Sequence, residues 1–207
     1  MQKFSFFLFL IISTFTSCFA DDTKTNIVPQ SLNVNTVKDY LNVGDSITFK
    51  DETYYLGWSA NPSEGYYIQE YFPKGEVADH YNQMFTVSVH YMEGLTPEIA
   101  TAAKVNELEQ RKKTDACCNY KVYKNGDDRM LDFLVSAKDP NNPGLLSTVE
   151  FDLHLYKQVE IKGKPALQLL FYSKRAYGDD IMPFLHGLTD FRGQATMNMV
   201  KSEIKCK

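Results

Sequence analysis

"MFTVSVHYM", residues 84–92, sets apolar Phe85, Val87, Val89 and Tyr91 against Thr86, Ser88 and His90 at alternate positions. A period of two sends one set of side chains into a core and the other to a polar face, which is the pattern of a β-strand. Immediately downstream, Thr96-Pro97-Glu98 opens a helix. It offers a hydroxyl cap, a proline at the first helical position and an early acid at the positive end of the dipole. Ile99, Ala102, Ala103, Val105 and Leu108 form its expected apolar stripe, and "EQRKK", residues 109–113, puts cations in the last turns. A second alternation follows at 149–156: Val149, Phe151, Leu153 and Leu155 against Glu150, Asp152, His154 and Tyr156.

Further out, the chain reads as short strands separated by turns. Upstream lie strands at 46–49 and 53–58, a turn in "GWSANPSEG" (57–65) with Pro62 and Gly65 as breakers, and a strand at 66–72 stopped by Pro73-Lys74-Gly75. Downstream, strands at 118–123 and 129–137 flank "KNGDD", whose Asn125-Gly126 is a tight-hairpin signal. In the second of these, Leu131, Phe133, Val135 and Ala137 share a face. "KDPNNPG" (138–144) is a loop, and "IKGKP" (161–165) turns into 166–173, apolar on both parities and therefore a central strand. Two helices are expected at the end: a short one over 181–188, and a last one over 194–205 with Met197, Val200 and Ile204 inward. Hairpin turns in place of long crossovers imply an α+β fold, a mostly antiparallel sheet with helices packed against it. Its layering resembles the photosystem extrinsic-protein or Mog1-like fold, with an NTF2-like cone-shaped sheet as the alternative. Neither analogy carries a function.

The first twenty residues, MQKFSFFLFLIISTFTSCFA, place Lys3 before an apolar run and end on small residues. This is the layout of a secretory signal peptide cleaved after Ala20, too short in its apolar core to span a membrane. A lipobox-like reading of Phe15-Thr16-Ser17-Cys18, with Cys18 lipidated, is the alternative and would anchor the chain to a membrane. Residues 21–43 read as a polar segment and 44–207 as one α+β domain. Removing residues 1–20 removes Lys3 and no acid, which takes the net charge from −4 to −5. That balance argues against a nucleic-acid partner and gives no handle on an anionic membrane. The expected location is periplasmic or secreted, with a membrane-anchored lipoprotein as the alternative.

Export favours disulfides over reduced thiols. With Cys18 removed or lipidated, Cys117, Cys118 and Cys206 remain. Adjacent cysteines do not suit a zinc site or a CxxC redox pair, and His80, His90, His154 and His186 show no metal-ligand spacing. A Cys118–Cys206 bridge, or Cys117–Cys206 in its place, would tie the C-terminal helix to the sheet and contribute about 4 kcal/mol through the closure of a long loop. No cofactor motif and no metal set stands out.

Two functional surfaces compete. Ser88, His90, Asp152 and His154 lie on polar faces of alternating strands and would form a hydrolase site if those strands were neighbours. Against this, alternating polar residues on strands are ordinarily solvated, and no nucleophile elbow accompanies them. Paired acids at Asp127-Asp128 and Asp179-Asp180 sit in turns. The other surface is aromatic: Tyr54, Tyr55, Trp58, Tyr66, Tyr67, Tyr71 and Phe72 crowd together. Of these, Tyr54, Trp58, Tyr67 and Tyr71 are the candidate binding residues, since tyrosine offers rigid apolar area with a hydroxyl.

Glu70-Tyr71-Phe72-Pro73-Lys74-Gly75-Glu76 and "HYNQMFTV" (80–87) follow the pattern E-[YF]-x-P-x-G-E, a short gap, an aromatic, then M-x-T-V. This resembles a family of uncharacterised exported bacterial proteins, with Tyr81 where tryptophan is common. "YSKRAYGDD" (172–180), Phe184 and Arg192 resemble its later stretch, so the likeness spans about residues 50–200. It implies an exported single domain of unknown activity and transfers no site residue. The combined expectation is an exported envelope protein acting as a non-catalytic binding or assembly module, its partner an envelope protein or a small apolar ligand; the alternative is a hydrolase. Intact mass of the exported protein is expected to start at Asp21, and a lipid-bearing chain starting at Cys18 would establish the anchored alternative.

Overall fold

Eight antiparallel strands and two long helices make up the computed structural model, which describes residues 37–207. In chain order they are β1 (Ser46–Phe49), β2 (Glu52–Ser63), β3 (Tyr66–Phe72), β4 (Gln83–His90), α1 (Pro97–Arg111), β5 (Asn119–Asn125), β6 (Asp128–Lys138), β7 (Leu146–Ile161), β8 (Lys164–Tyr177) and α2 (Ile181–Val200). The strands form one sheet in the order β1-β2-β3-β4-β8-β7-β6-β5. Two meanders are therefore laid side by side, joined where β4 pairs β8 from Gln83↔Lys174 to His90↔Leu167. Helix α1 carries the chain from the middle of the sheet to its far edge. Tight turns set the registers: Lys50-Asp51 (φ 52° and 63°) and Lys162-Gly163 (φ 52° and 75°) are left-handed at both central positions, as the twist of a two-residue hairpin requires.

The helices cover opposite faces. Leu131, Phe133 and Val135 of β6 pack with Leu108 of α1. Met130 and Leu134 of the same strand point the other way, into a core shared with Ala195 and Met199 of α2. Central strands buried on both sides explain why 166–173 is apolar on both parities. The part of the α1 face nearer β3 is covered by Tyr81 from the 73–82 connection, packed with Phe72 and Met84.

Several expected boundaries move. Thr96 caps α1 as read, its side chain accepting from the Ile99 amide at 3.2 Å. The buried stripe, however, is Pro97, Thr101 and Leu108, and Ile99 is exposed. The "GWSANPSEG" turn is strand as far as Ser63, with register shifts between Leu56 and Trp58 and between Ala60 and Ser63. Pro62 is tolerated there because β1 pairs only with Glu52–Tyr55, so the rest of β2 is an edge. The two expected terminal helices are one, α2, running through Gly187 and Gly193. Its inward residues are Ile181, Ala195 and Met199, while Met197 and Val200 face outward.

Residues 1–20, Cys18 among them, and most of the 21–43 segment lie outside the described residues. The described end of that segment is part of the body. Leu41 is buried, and its amide donates to the Gln69 side chain at 2.8 Å. The Asp39 carboxylate accepts from the amides of Leu41, Val43 and Gly44.

One buried contact holds α2 to the sheet. Asp132 of β6 is fully buried and accepts from both Nε and Nη2 of Arg192, with the Tyr123 hydroxyl donating to its Oδ2 at 2.7 Å. A forked Arg–carboxylate pair fixes both angle and position. Arg192→Ala is expected to destabilise the fold by about 3 kcal/mol in urea unfolding, because it strands a buried carboxylate; Arg192→Met with Asp132→Leu should recover most of that loss.

Candidate functional site

Strand β8 separates the two halves of the expected hydrolase cluster. Across the sheet, Ser88 is opposite Leu169 and Leu169 is opposite Tyr156. His90 stacks on Tyr66 with ring centroids 3.9 Å apart. His154 pairs its Nδ1 with the Tyr156 hydroxyl at 2.8 Å and sits edge-on to Phe133 and Phe171. No hydrogen bond among the described residues links Ser88, His90, Asp152 and His154. Their electrostatics also run against a triad. Burial, followed by the charge of Glu150, pushes the Asp152 carboxyl well up, and burial pushes the His154 imidazole well down. A triad needs an ionised carboxylate beside a histidine able to accept a proton.

Nor are these residues solvated, as alternation alone would have them. Ser88, Asp152 and His154 are all buried, because α1 and the 73–82 connection cover the polar side of the sheet. Glu150 organises that interior. It receives the Ser173 hydroxyl at 2.5 Å and the Tyr81 hydroxyl at 3.4 Å, and Arg175 Nε lies 3.0 Å away as an ion pair without hydrogen-bond alignment. The Arg175 guanidinium also covers the Tyr81 ring, and the Tyr177 hydroxyl donates to the Tyr81 carbonyl. The result is a clamp that docks the connection. Asp152 Oδ1 and Thr86 Oγ1 are buried without a partner.

The aromatic candidates divide between the two faces. Tyr54 and Tyr71 are fully buried core residues: Tyr54 donates to Gln83 Oε1, and Tyr71 donates to the Gly44 carbonyl while accepting from Gln69. Tyr67 is half-buried between Tyr40 and Tyr91 on the same side. Trp58 is 42% exposed on the opposite face, beside the 51% exposed Tyr55, a residue that sequence alone does not single out. Opposed partners fix this: Tyr55 lies across from Phe72 and Trp58 across from Glu70. Between them Gly57 receives the Phe72 ring, whose Cδ2 would sit 2.7 Å from an added Cβ. The exposed aromatic surface is thus Tyr55 and Trp58 flanking Gly57.

Cys117, Cys118 and Cys206 are free thiols in this structure, with Cys117 and Cys206 both packed against the α2-side core. Cys118 belongs to the α1-side core, its Sγ 3.6 Å from the Leu108 carbonyl, while Cys206 packs on the α2-side core. The sheet stands between them. Burial raises the Cys118 thiol and pushes Cys206 up to about 12, which disfavours the reactive thiolate in both. Cys117 lines a cleft of about 450 Å³ with Arg111 and Lys138. The neighbouring Asp115 carboxylate is consumed by Arg111, the Ser136 amide and hydroxyl and the Cys117 amide. No group of three or more metal-ligating side chains occurs among the described residues.

A protein-family model matches residues 41–204, while no curated protein and no solved structure matches the chain.

The buried polar face has a pH signature. The folded Asp152 pKa lies above its ordinary 3.8, so its contribution to stability is complete below that value and is lost as pH rises. His90, lowered by burial from 6.5 to about 4, acts oppositely: its contribution is present above pH 6.5 and is lost as pH falls toward 4. Asp152→Asn is expected to raise the thermal midpoint at pH 7 and to leave it unchanged near pH 3.5, measured by circular dichroism.

Proposed function

We propose, for a chain that belongs to the uncharacterised family matched over residues 41–204, the role of an exported, non-catalytic binding or assembly module. The partner is an extended segment of another envelope protein, added to the open edge of β2. The observation that carries this reading is the contrast between the two sheet edges. Edge β5 bears Lys121 and Lys124, the charges that block edge-to-edge pairing. Beyond Tyr55, β2 pairs with no strand on its outer side among the described residues, where the Leu56 amide donates to the Asp45 carbonyl and the Ser59 hydroxyl to the Lys38 carbonyl, and Gly57–Ser63 contains no charged residue. Unpaired backbone groups of an edge supply affinity to an incoming strand, and side-chain contacts supply specificity. Tyr55 and Trp58 would supply the latter here, as the exposed aromatic anchors that interfaces favour.

Pro62 and the two register shifts limit the available stretch to roughly Trp58–Asn61, which suits a short docking segment and prevents open-ended sheet growth. No described helix is long and apolar enough to cross a membrane. The hydrolase alternative draws no support from Ser88, His90, Asp152 and His154, since β8 keeps the first two away from the others.

A photo-crosslinking residue at position 58 or 60, introduced into the full chain in its native host, is expected to give one discrete adduct with a single protein, while the same residue at Val122 on β5 gives none. Adducts of equal yield from both edges, or none from β2, would overturn the proposal. Trp58→Ala should abolish the position-60 adduct and change stability by less than about 1 kcal/mol, as expected of an exposed side chain.

A further inference from the structure

The segment after α2 has neither helix nor strand, yet it is held in place. The Lys207 amide donates to the Leu41 carbonyl at 3.0 Å, the Asn42 side chain donates to the Lys207 oxygen at 3.0 Å, and Gln168 Nε2 donates to the Ile204 carbonyl at 3.2 Å. Between this segment and β1 lies an open cleft of about 640 Å³. Four lysines line it: Lys50, Lys201, Lys205 and Lys207. None of them makes an ion pair with an acid among the described residues.

The overall chain is acidic, at a net charge of −4, so a cleft with this lining concentrates positive potential where the molecule otherwise repels anions. Glu203 is the acidic side chain that lines it, which leaves cations in excess. Lys201 follows the last turn of α2 and offsets the negative end of that helix, so Lys50, Lys205 and Lys207 are the cations available to a ligand. Lys50 is the most constrained of them. It sits in the left-handed β1–β2 turn at φ 52°, with its Nζ 3.8 Å from the centre of the Phe191 ring. Lys174 Nζ lies 4.4 Å from the same ring. Two like charges lie against one aromatic ring, and an anion bound beside Lys50 would relieve their repulsion. Burial and then Lys174 hold the Lys50 ammonium below its ordinary range, in keeping with the same crowding.

We infer that this cleft is a binding site for a small phosphate-bearing anion. Its remaining donors are compact hydroxyls, Ser46 and Thr48 from the outward side of β1 and Ser202, together with the second amide protons of Asn42 and Asn198, whose first are given to the Lys207 and Gln194 carbonyls. Lysine binds phosphate as a point charge, and short hydroxyl and amide donors complete the shell of a phosphate ester. The volume falls in the range of small-ligand sites, which favours a compact molecule over a long acidic peptide. The site lies apart from the β2 edge and stands or falls independently of it.

The test is a calorimetric titration of the full chain with pyrophosphate, alongside co-sedimentation with phosphatidylcholine vesicles doped with phosphatidic acid. Saturable pyrophosphate binding that weakens with salt is expected. Lys50→Gln and the double variant Lys205→Gln/Lys207→Gln should each weaken it about tenfold, the loss of a charge-assisted contact. The control pair Lys121→Gln/Lys124→Gln on β5 should leave it unchanged. Binding without co-sedimentation assigns a soluble phosphate ester, and co-sedimentation competed away by pyrophosphate assigns a lipid headgroup. Absence of both, or equal weakening by the control pair, overturns the site. Because the substituted lysines make no ion pairs among the described residues, the thermal midpoints of the variants should match that of the parent chain. Backbone amide shifts on adding pyrophosphate, expected at residues 46–50 and 201–207, give a reading that needs no variant.

Discussion

The pairing of β4 with β8 is the contact on which the rest of the molecule depends. Each meander could form from local hairpins, but alone each would leave β4 or β8 as an open edge. When Gln83–His90 aligns with Leu167–Lys174, the two halves become one sheet, and β4 and β8 acquire neighbours on both sides. A sheet this wide cannot leave either face in water, since β6 and β8 carry apolar side chains in both directions. One helix on each face is the consequence. The pairing joins residues far apart in the chain, so its loop-closure cost must be met before the gain from burial arrives, which makes it the expected late and slow step of folding.

Covering the second face creates an electrostatic problem that the chain handles locally. Burial removes water from Asp152 and His154 and partly from Glu150, whose alternation suits a solvated side. Glu150 is paired with Arg175 and receives the hydroxyls of Ser173 and Tyr81. Asp152 and His154 are each driven toward the neutral form instead. A buried charge is retained only where it is paired, and neutralisation is the cheaper course where it is not. The same Glu150 cluster holds down the 73–82 connection, so the polar interior does on the β3 side what α1 does on the β5 side.

The surfaces left over are unlike one another. One sheet edge carries lysines, while the other is uncharged and flanked by exposed aromatic rings. The β1 side of the α2 face carries a cationic cleft in an acidic chain. Folding alone does not require either asymmetry. An uncharged edge is an aggregation liability, and four lysines facing a single glutamate are mutually repulsive. Features that work against solubility or stability are where partners are to be sought, and these two belong to different chemistries.

Much of the architecture could be read from local signals. The period of two at 84–92 and 149–156, the Thr96-Pro97-Glu98 start and the Lys162-Gly163 turn each depend on neighbours within a few residues, and each element forms. The class and the central place of residues 166–173 follow from the same evidence. Tertiary structure decided the rest. Whether Asp152 is wet or dry depends on α1 covering it, and whether Ser88 meets His154 depends on β8 lying between them. Tyr54 and Tyr55 are consecutive, so one must face inward, but which one depends on pairing with β1 and β3. Trp58 joins Tyr55 because a register shift at Gly57 makes room for Phe72. Sequence therefore determined the elements, since backbone preference and periodicity act over short range. The partners of each face were decided only when distant strands met, because burial belongs to the assembled sheet and to no single segment of it.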